Sequence, residues 1–255
     1  MDPLLNFENH TVLITGAASG FGRLLAQGLA SRGANLALGD IDEAGLQTTI
    51  DSLGISAERV VSVRNDVSSE SDCEQLVKLA VEKFGKLDSA VNNAGIAHDP
   101  APIHELSEAV LDKQMDVNVK GVLFGMKYQI RAMLQQGKGN ILNVSSMAGL
   151  GGAPKGGAYV AAKHAVSGLT RTAAIEYGKK NVRVNAICPF YSPTNILNVE
   201  GYNTEQDRAR MAMGSPMKRL GEPQEMVNVM LFLLSPGNTY MNGQTIAVDG
   251  GVSAW

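Results

Sequence analysis

Thr11-Val12-Leu13-Ile14-Thr15-Gly16-Ala17-Ala18-Ser19-Gly20-Phe21-Gly22 is the stretch whose reading decides the fold. Its first five residues are apolar or β-branched and read as a buried strand. The glycines that follow are spaced G-x-x-x-G-x-G. After them Leu24, Leu25, Gly28 and Leu29 fall at the three- and four-residue spacing of an amphipathic helix. Strand, glycine turn and helix in that order make a cradle for a pyrophosphate. Glycines let the backbone turn sharply and approach closely, and a helix N-terminus offers free N–H groups and a partial positive charge. The spacing differs from the commoner G-x-G-x-x-G, but the physics is shared. A tight connection that binds nothing is the other reading of this turn.

Working outward, the chain alternates between two periods. Short apolar runs at Thr11–Thr15, Asn35–Gly39, Val60–Arg64, Leu87–Asn92 and Asn140–Ser145 read as strands, with helical spacing between them, as at Leu76, Val77, Leu79, Ala80 and Phe84. A helix over Gly157–Tyr177, a strand at Val182–Ile187, a helix near Pro223–Leu234 and a last strand at Thr245–Val248 are expected to follow. This alternation predicts right-handed βαβ crossovers and an α/β fold, a doubly wound parallel sheet with helices on both faces. No repeat or low-complexity linker interrupts it, so residues 1–255 read as one domain. Residues 190–220 are the one long irregular stretch, predicted to be a substrate loop over the site.

Several function classes are excluded. The 255 residues carry a formal net charge of −3 with scattered Lys and Arg, which argues against nucleic acid as a partner. Cys73 and Cys188 form no disulfide framework, and neither they nor the four histidines show metal-ligand spacing, so no metal is expected. Both thiols are expected to be small buried hydrophobes. Met1–His10 lack the basic-then-apolar order of a secretory signal. The longest apolar run, Val229–Leu234, is far short of the ~20 residues that span a bilayer. The expectation is a cytoplasmic protein with no membrane partner.

Asp40 ends the second predicted strand, eighteen residues past Gly22. A carboxylate there accepts hydrogen bonds from the adenosine ribose hydroxyls and repels a 2′-phosphate. No Arg or Lys directly follows it, and Ser19 stands where a base would meet that phosphate, so NAD is favoured over NADP. Asp40 also suits a turn or cap ahead of Asp42 and Glu43.

Tyr159 and Lys163 are four residues apart and so share one face of the predicted helix. A free tyrosine titrates near ~10, and moving it down by about three units takes roughly 4 kcal/mol of preference for the phenolate. A lysine charge together with an oxidised nicotinamide ring can supply that preference. Ser146 lies thirteen residues before Tyr159, just past the fifth predicted strand, at the carboxyl end where open α/β sheets bind ligands. Its hydroxyl can hold a substrate oxygen beside the phenol. Taken singly, each residue also fits an exposed helix face or a cap.

Together these motifs resemble the short-chain dehydrogenase/reductase family in its single-domain form, over essentially the whole chain. The resemblance is carried by Gly16, Gly20 and Gly22, by Asp66-Val67, by Asn92-Asn93-Ala94-Gly95 and by Asn118. Ser146, Tyr159, Lys163, Gly243-Gln244 and Val248-Asp249-Gly250-Gly251 complete it. It implies a Rossmann-type fold and a nicotinamide cofactor that exchanges hydride with an alcohol or carbonyl substrate. Tyr159 would be the acid/base and Ser146 would orient the substrate oxygen. Lys163 would lower the tyrosine pKa and bind the nicotinamide ribose, and Asn118 would hold a water linking Lys163 to solvent. Ser19 and Phe21 would join the glycines at the cofactor. Asp66 and Val67 would meet the adenine, Asn92, Ala94 and Gly95 would support the cofactor floor, and Pro189 and Thr194 would meet the carboxamide. A homo-oligomer, tetramer or dimer, is also implied. Helices near 107–136 and 157–177 would form one interface, and the last strand with Trp255 another.

Two departures stand out. Phe190 follows Pro189 where the family has Gly, which predicts an altered backbone or a side chain intruding on the site, and Ala162 stands where Ser is frequent. Phe190, Tyr191, Ile196, Leu197, Met211, Met213 and Met217, with Met147 and Leu150, are expected either to line an adaptable apolar pocket or to pack the loop on the core. A pocket of that kind points to a hydrophobic secondary alcohol or ketone, cyclic or steroid-like. His98 and His104 are expected to border its entrance. Two other readings compete. An NADP-dependent 3-oxoacyl-carrier-protein reductase is opposed by Asp40, and a non-catalytic dinucleotide sensor by the intact Asn118, Ser146, Tyr159 and Lys163 set.

Overall fold

Seven strands form the sheet: β1 (Thr11–Thr15), β2 (Asn35–Asp40), β3 (Val60–Arg64), β4 (Ser89–Asn92), β5 (Gly139–Val144), β6 (Val182–Pro189) and β7 (Thr245–Val248). They pair in the order β3-β2-β1-β4-β5-β6-β7, every neighbouring pair parallel. The computed structural model describes residues 3–199 and 202–254. Its helices are α1 (Gly20–Ala30), α2 (Glu43–Ser52), α3 (Glu70–Phe84), α4 (Glu108–Gln114), α5 (Gly121–Gln136), α6 (Gly157–Tyr177), α7 (Glu205–Met213) and α8 (Pro223–Leu234).

Strand parity builds two apolar layers. Val12 and Ile14 of β1 pack with Leu25 and Leu29 of α1 and Met230 and Leu231 of α8. Leu13 faces the other way, toward Leu76 of α3 and Val122 and Met126 of α5. Each such side chain contributes about 1.5–3 kcal/mol when fully buried. Strands covered on both faces read as unbroken apolar runs, which is why β1 stood out. The strand order reverses between β1 and β4, and the crevice opened there at the carboxyl ends is where open α/β sheets bind ligands.

Some boundaries differ from expectation. Leu87 and Asp88 precede β4, the Leu87 N–H being taken by the Gln136 side chain at 3.1 Å. β6 runs on to Pro189 because β7 pairs with it as far as Pro189 opposite Val248. Residues 190–220 are not irregular throughout, since they contain α7. That helix starts at a capping box between Thr204 and Asp207 and buries one residue, Met211, so it has no apolar stripe to betray it. Between α4 and α5, Met115–Lys120 form a π-helical turn that carries Asn118.

Cys73 and Cys188 are free and buried. Burial pushes the Cys73 thiol up to about 12 and raises Cys188, which leaves both unreactive. Among the described residues no helix is long and apolar enough to cross a membrane, and no group of three or more His, Cys, Asp and Glu could hold a metal ion.

Candidate active site

The turn after β1 is built by close backbone approach. Gly16 sits at φ +66°, and a Cβ on it would lie 2.8 Å from the Ala94 Cα. Gly20 opens α1 at φ +52°. The cap residue Ser19 is extended and makes no side-chain capping bond, so the first N–H groups of α1 await another acceptor. Asn93, just past β4, fastens the turn across the strand-order reversal. Its amide Nδ2 donates to the carbonyls of Thr15 (2.9 Å) and Gly16 (3.0 Å), and the Thr15 hydroxyl accepts from the N–H groups of Asn93 and Ala94.

Asp40 serves the turn and also lines the cavity. One carboxylate oxygen accepts from the Ala18 N–H at 2.8 Å and the other from the Asp42 N–H at 3.0 Å. The turn reading of this residue is therefore seen, while Asp42 caps α2. Asp66 accepts from the Ser68 hydroxyl at 2.6 Å. That bond, with the Ser68 N–H and the charge of Lys113, holds its carboxyl below the usual range against its own desolvation.

A cavity of about 920 Å³ runs past these groups, near the upper end of the ~300–1,000 Å³ of ligand pockets. Gly16, Ser19, Gly20, Phe21, Asp40, Asp66 and Val67 line it, as do Ala94, Gly95, Pro189 and Thr194, together with Ser146, Tyr159 and Lys163. A dinucleotide fits this lining. The glycine cradle would clash with any Cβ at position 16, and buried Asn65, beside Asp66, leaves both side-chain amide atoms unpaired.

Ser146, Tyr159 and Lys163 come together at the other part of the cavity. The Lys163 ammonium, on buried α6 backbone one turn past Tyr159, lies 5.5 Å from the tyrosine ring centroid and donates to the Val144 carbonyl at 2.9 Å. Burial pushes the Tyr159 phenol up to about 12, against a lowering hydrogen bond from Ser146. Burial also brings Lys163 down to about 8. In the protein alone the phenol is governed by desolvation, opposed by the Ser146 hydrogen bond, and Lys163 contributes no lowering.

Three expected residues lie behind the cavity wall. Gly22 is a packing glycine, where a Cβ would meet the Gly16 carbonyl oxygen at 2.1 Å. Asn92 is a correction. It is the last residue of β4, buried, and bonded to Gln129 and Asn143 rather than to the cavity. Asn93, the first residue off the strand, lines the cavity instead, and strand parity would have separated the two. Asn118 is fully buried; its side chain brackets the Ile96 N–H and C=O at 2.9 Å each and donates to Gln114 at 2.7 Å. Gly95 separates it from Lys163, a Cβ there coming within 2.9 Å of Asn118 Oδ1 and 3.5 Å of Lys163 Nζ.

The substrate end is more aromatic than expected. Met147, Leu150, Tyr191, Ile196, Leu197 and Tyr202 line it with Phe190. Met211 is buried away from it, and Met213 and Met217, 62% and 58% exposed, are not part of its lining. His98 lines the cavity, its Nδ1 donating to the Asp99 carbonyl at 2.8 Å. His104 does not; it is exposed beside Glu105. Phe190 is accommodated without a left-handed backbone, its N–H donating to the Val248 carbonyl at 3.1 Å. Asn65 and Lys113 were missed as lining residues because no motif spacing marks them.

Residues 16–253 match a family model described as enoyl-(acyl carrier protein) reductase. Levodione reductase of Leifsonia aquatica is 36% identical over 259 residues, covering 99% of this chain and 97% of that protein. 2,5-Dichloro-2,5-cyclohexadiene-1,4-diol dehydrogenase of Sphingobium indicum is 41% identical over 251 residues, covering 98% and 99%. The crystal structure of levodione reductase matches with a TM-score of 0.93 at 36% identity, over 98% of this chain and 99% of that chain. A 3-ketoacyl-(acyl-carrier-protein) reductase from Brucella melitensis complexed with NADH matches at 0.90 and 33% identity, over 97% and 100%. ElxO with NADP bound matches at 0.90 and 30% identity, over 96% and 99%. Motifs, sheet order and full-length relatives agree: the chain belongs to the short-chain dehydrogenase/reductase family and is an oxidoreductase acting on CH–OH groups.

Proposed function

We propose that the protein interconverts an alicyclic secondary alcohol and its ketone, with NAD preferred over NADP. The cofactor preference rests on the Asp40 carboxylate at the end of β2, held by the Ala18 and Asp42 N–H groups where a 2′-phosphate would be repelled. The base lining that part of the cavity, Lys113, acts on Asp66. The ring substrate rests on the apolar and aromatic wall beside Tyr159, and on relatives whose names specify ring diols or a dione.

When bound, the nicotinamide supplies or accepts the hydride at the substrate carbon. This chain's residues manage the oxygen. The Ser146 hydroxyl holds it beside Tyr159. The phenol gives its proton to a carbonyl oxygen in reduction and takes one from the alcohol in oxidation. A phenol pushed up to about 12 is protonated at neutral pH, which is the form that donates. Lys163, still mostly charged at pH 7, stabilises the phenolate that results.

Exposed apolar side chains on α5 and α6, Leu123 (44%) and Ile175 (83%), support assembly through those helices into a homodimer or homotetramer. Of the second interface, expected at the last strand with Trp255, β7 ends the strand order of the sheet and Trp255 lies outside the described residues.

A 340 nm screen of NAD(H) and NADP(H) against cyclohexanols, ring diones, steroids and 3-oxoacyl thioesters tests the reading. Turnover of ring alcohols with NAD is expected. Turnover confined to NADPH and 3-oxoacyl thioesters would overturn it.

A further inference from the structure

Phe190 lines two cavities at once. One is the large cavity that holds Tyr159 and Ser146. The other, of about 130 Å³, is bordered by Ser215, Met217, Met226, Val248 and Gly250, between the end of α7 and the start of α8. Its charged groups already have partners: Arg219 forks onto both oxygens of Glu225 at 2.6 and 2.7 Å, and the Asp249 carboxylate accepts from the Gly251 and Ser253 N–H groups at 2.9 and 2.7 Å. What remains is mainly carbon, too small for a second ligand but suited to a short alkyl branch of one.

The ring between the two cavities is wedged. Its backbone N–H is tied to Val248 of β7 at 3.1 Å, and the next residue's carbonyl accepts from the Gly221 N–H, also at 3.1 Å. Its face leans on Tyr191, centroids 4.6 Å apart. Its tip reaches the end of α7, where a Cβ on Gly214 would lie 3.6 Å from the Phe190 Cζ. Strand below, aromatic neighbour beside and lid above hold one orientation.

We infer that Phe190 is the partition that sets how large a ring substituent the site accepts, and that the smaller cavity is a closed extension of the substrate pocket. The inference rests on the ring-alcohol reading for its choice of substrate. Replacing the ring by a methyl joins the two spaces. Leucine, which still fills part of the gap, opens them less.

The test measures binding of cyclohexanone and 4-propylcyclohexanone to protein saturated with oxidised cofactor, a complex that cannot turn over. Titration calorimetry is run on the wild type, Phe190→Ala and Phe190→Leu. The preference for the propyl ketone should rise about tenfold or more in Phe190→Ala, the discrimination a few methylene-sized contacts provide. A smaller rise is expected in Phe190→Leu, which also serves if the alanine variant does not fold. An unchanged or lowered preference in the folded variants, or no ketone binding by any form, overturns the partition. Turnover of the matching alcohols is followed in parallel. The affinity shift without turnover in any form would sink the ring-alcohol reading and leave the partition standing.

Discussion

Lys163 points its ammonium at the Val144 carbonyl, 2.9 Å away, and buries its charge with no carboxylate of the described residues paired to it. A lysine brought down to about 8 by burial prefers to be neutral when folded. The neutral preference stabilises the fold fully only above the unfolded value of 10.5, and that contribution is lost as pH falls through about 8. At neutral pH the buried charge is therefore a net cost. Lys163→Met should raise the stability of nucleotide-free protein by about 1–3 kcal/mol at pH 7 while removing turnover. The gain should shrink above pH 10. Thermal unfolding across pH checks this, and a destabilised variant at pH 7 would contradict it.

Tyr159→Phe keeps the ring in its half-buried place and removes the proton. Turnover should fall by at least about 10²–10⁴ with cofactor affinity nearly unchanged. Steady-state rates and a cofactor fluorescence titration read the two effects separately.

Gly16→Ala asks an L residue to hold φ +66° with its Cβ 2.8 Å from the Ala94 backbone. The strain alone is about 1–2 kcal/mol, and any relief shifts the turn proposed to meet the pyrophosphate. Denaturant unfolding should show the loss, and cofactor affinity should fall more than tenfold, roughly 1.4 kcal/mol.

Asp40→Asn retains an oxygen for one of the two N–H groups and drops the charge. The ratio of kcat/KM for NAD over NADP should fall by at least about tenfold. An unaltered ratio would remove Asp40 from the account of cofactor choice.

His10 sits at the opposite end of the sheet from the cavity, its Nε2 3.0 Å from the Ser89 hydroxyl and its Nδ1 4.0 Å from the Asp88 carboxylate. Burial lowers its pKa most, Asp88 pulls it up, and Lys86 and Lys138 push it down, for a net lowering from 6.5. A depressed folded pKa gives stability that is present above 6.5 and drains away as pH falls toward the folded value. The loss for one proton is at most ~1.4 kcal/mol per pH unit. Melting curves between pH 5 and 7.5 should slope more for the wild type than for His10→Gln. Asp88, whose own carboxyl is lowered despite burial by Lys86 and the Thr11 N–H, adds its loss only at still lower pH, below 3.8.

The sheet was legible in the sequence because strands buried on both faces leave nearly continuous apolar runs, and the Tyr159–Lys163 pair because helical spacing fixes a shared face. What escaped has physical reasons. α7 is held by a cap and one buried methionine, so its pattern carries no period. Asn92 and Asn93 are adjacent in sequence, yet one ends a strand inside the core and the other starts the loop outside it. The upward displacement of the Tyr159 phenol depends on how deeply the folded chain covers it, which no spacing encodes.

The Asn93 amide grips the Thr15 and Gly16 carbonyls from 78 and 77 residues along the chain. The nucleotide turn is therefore not a local structure that the first βα segment can finish on its own. It is complete only when β4 lies against β1. A nascent or clipped chain ending before Asn93 would have the glycines but no grip on the ligand, so ligand-induced protease resistance should accrue to correctly assembled molecules alone.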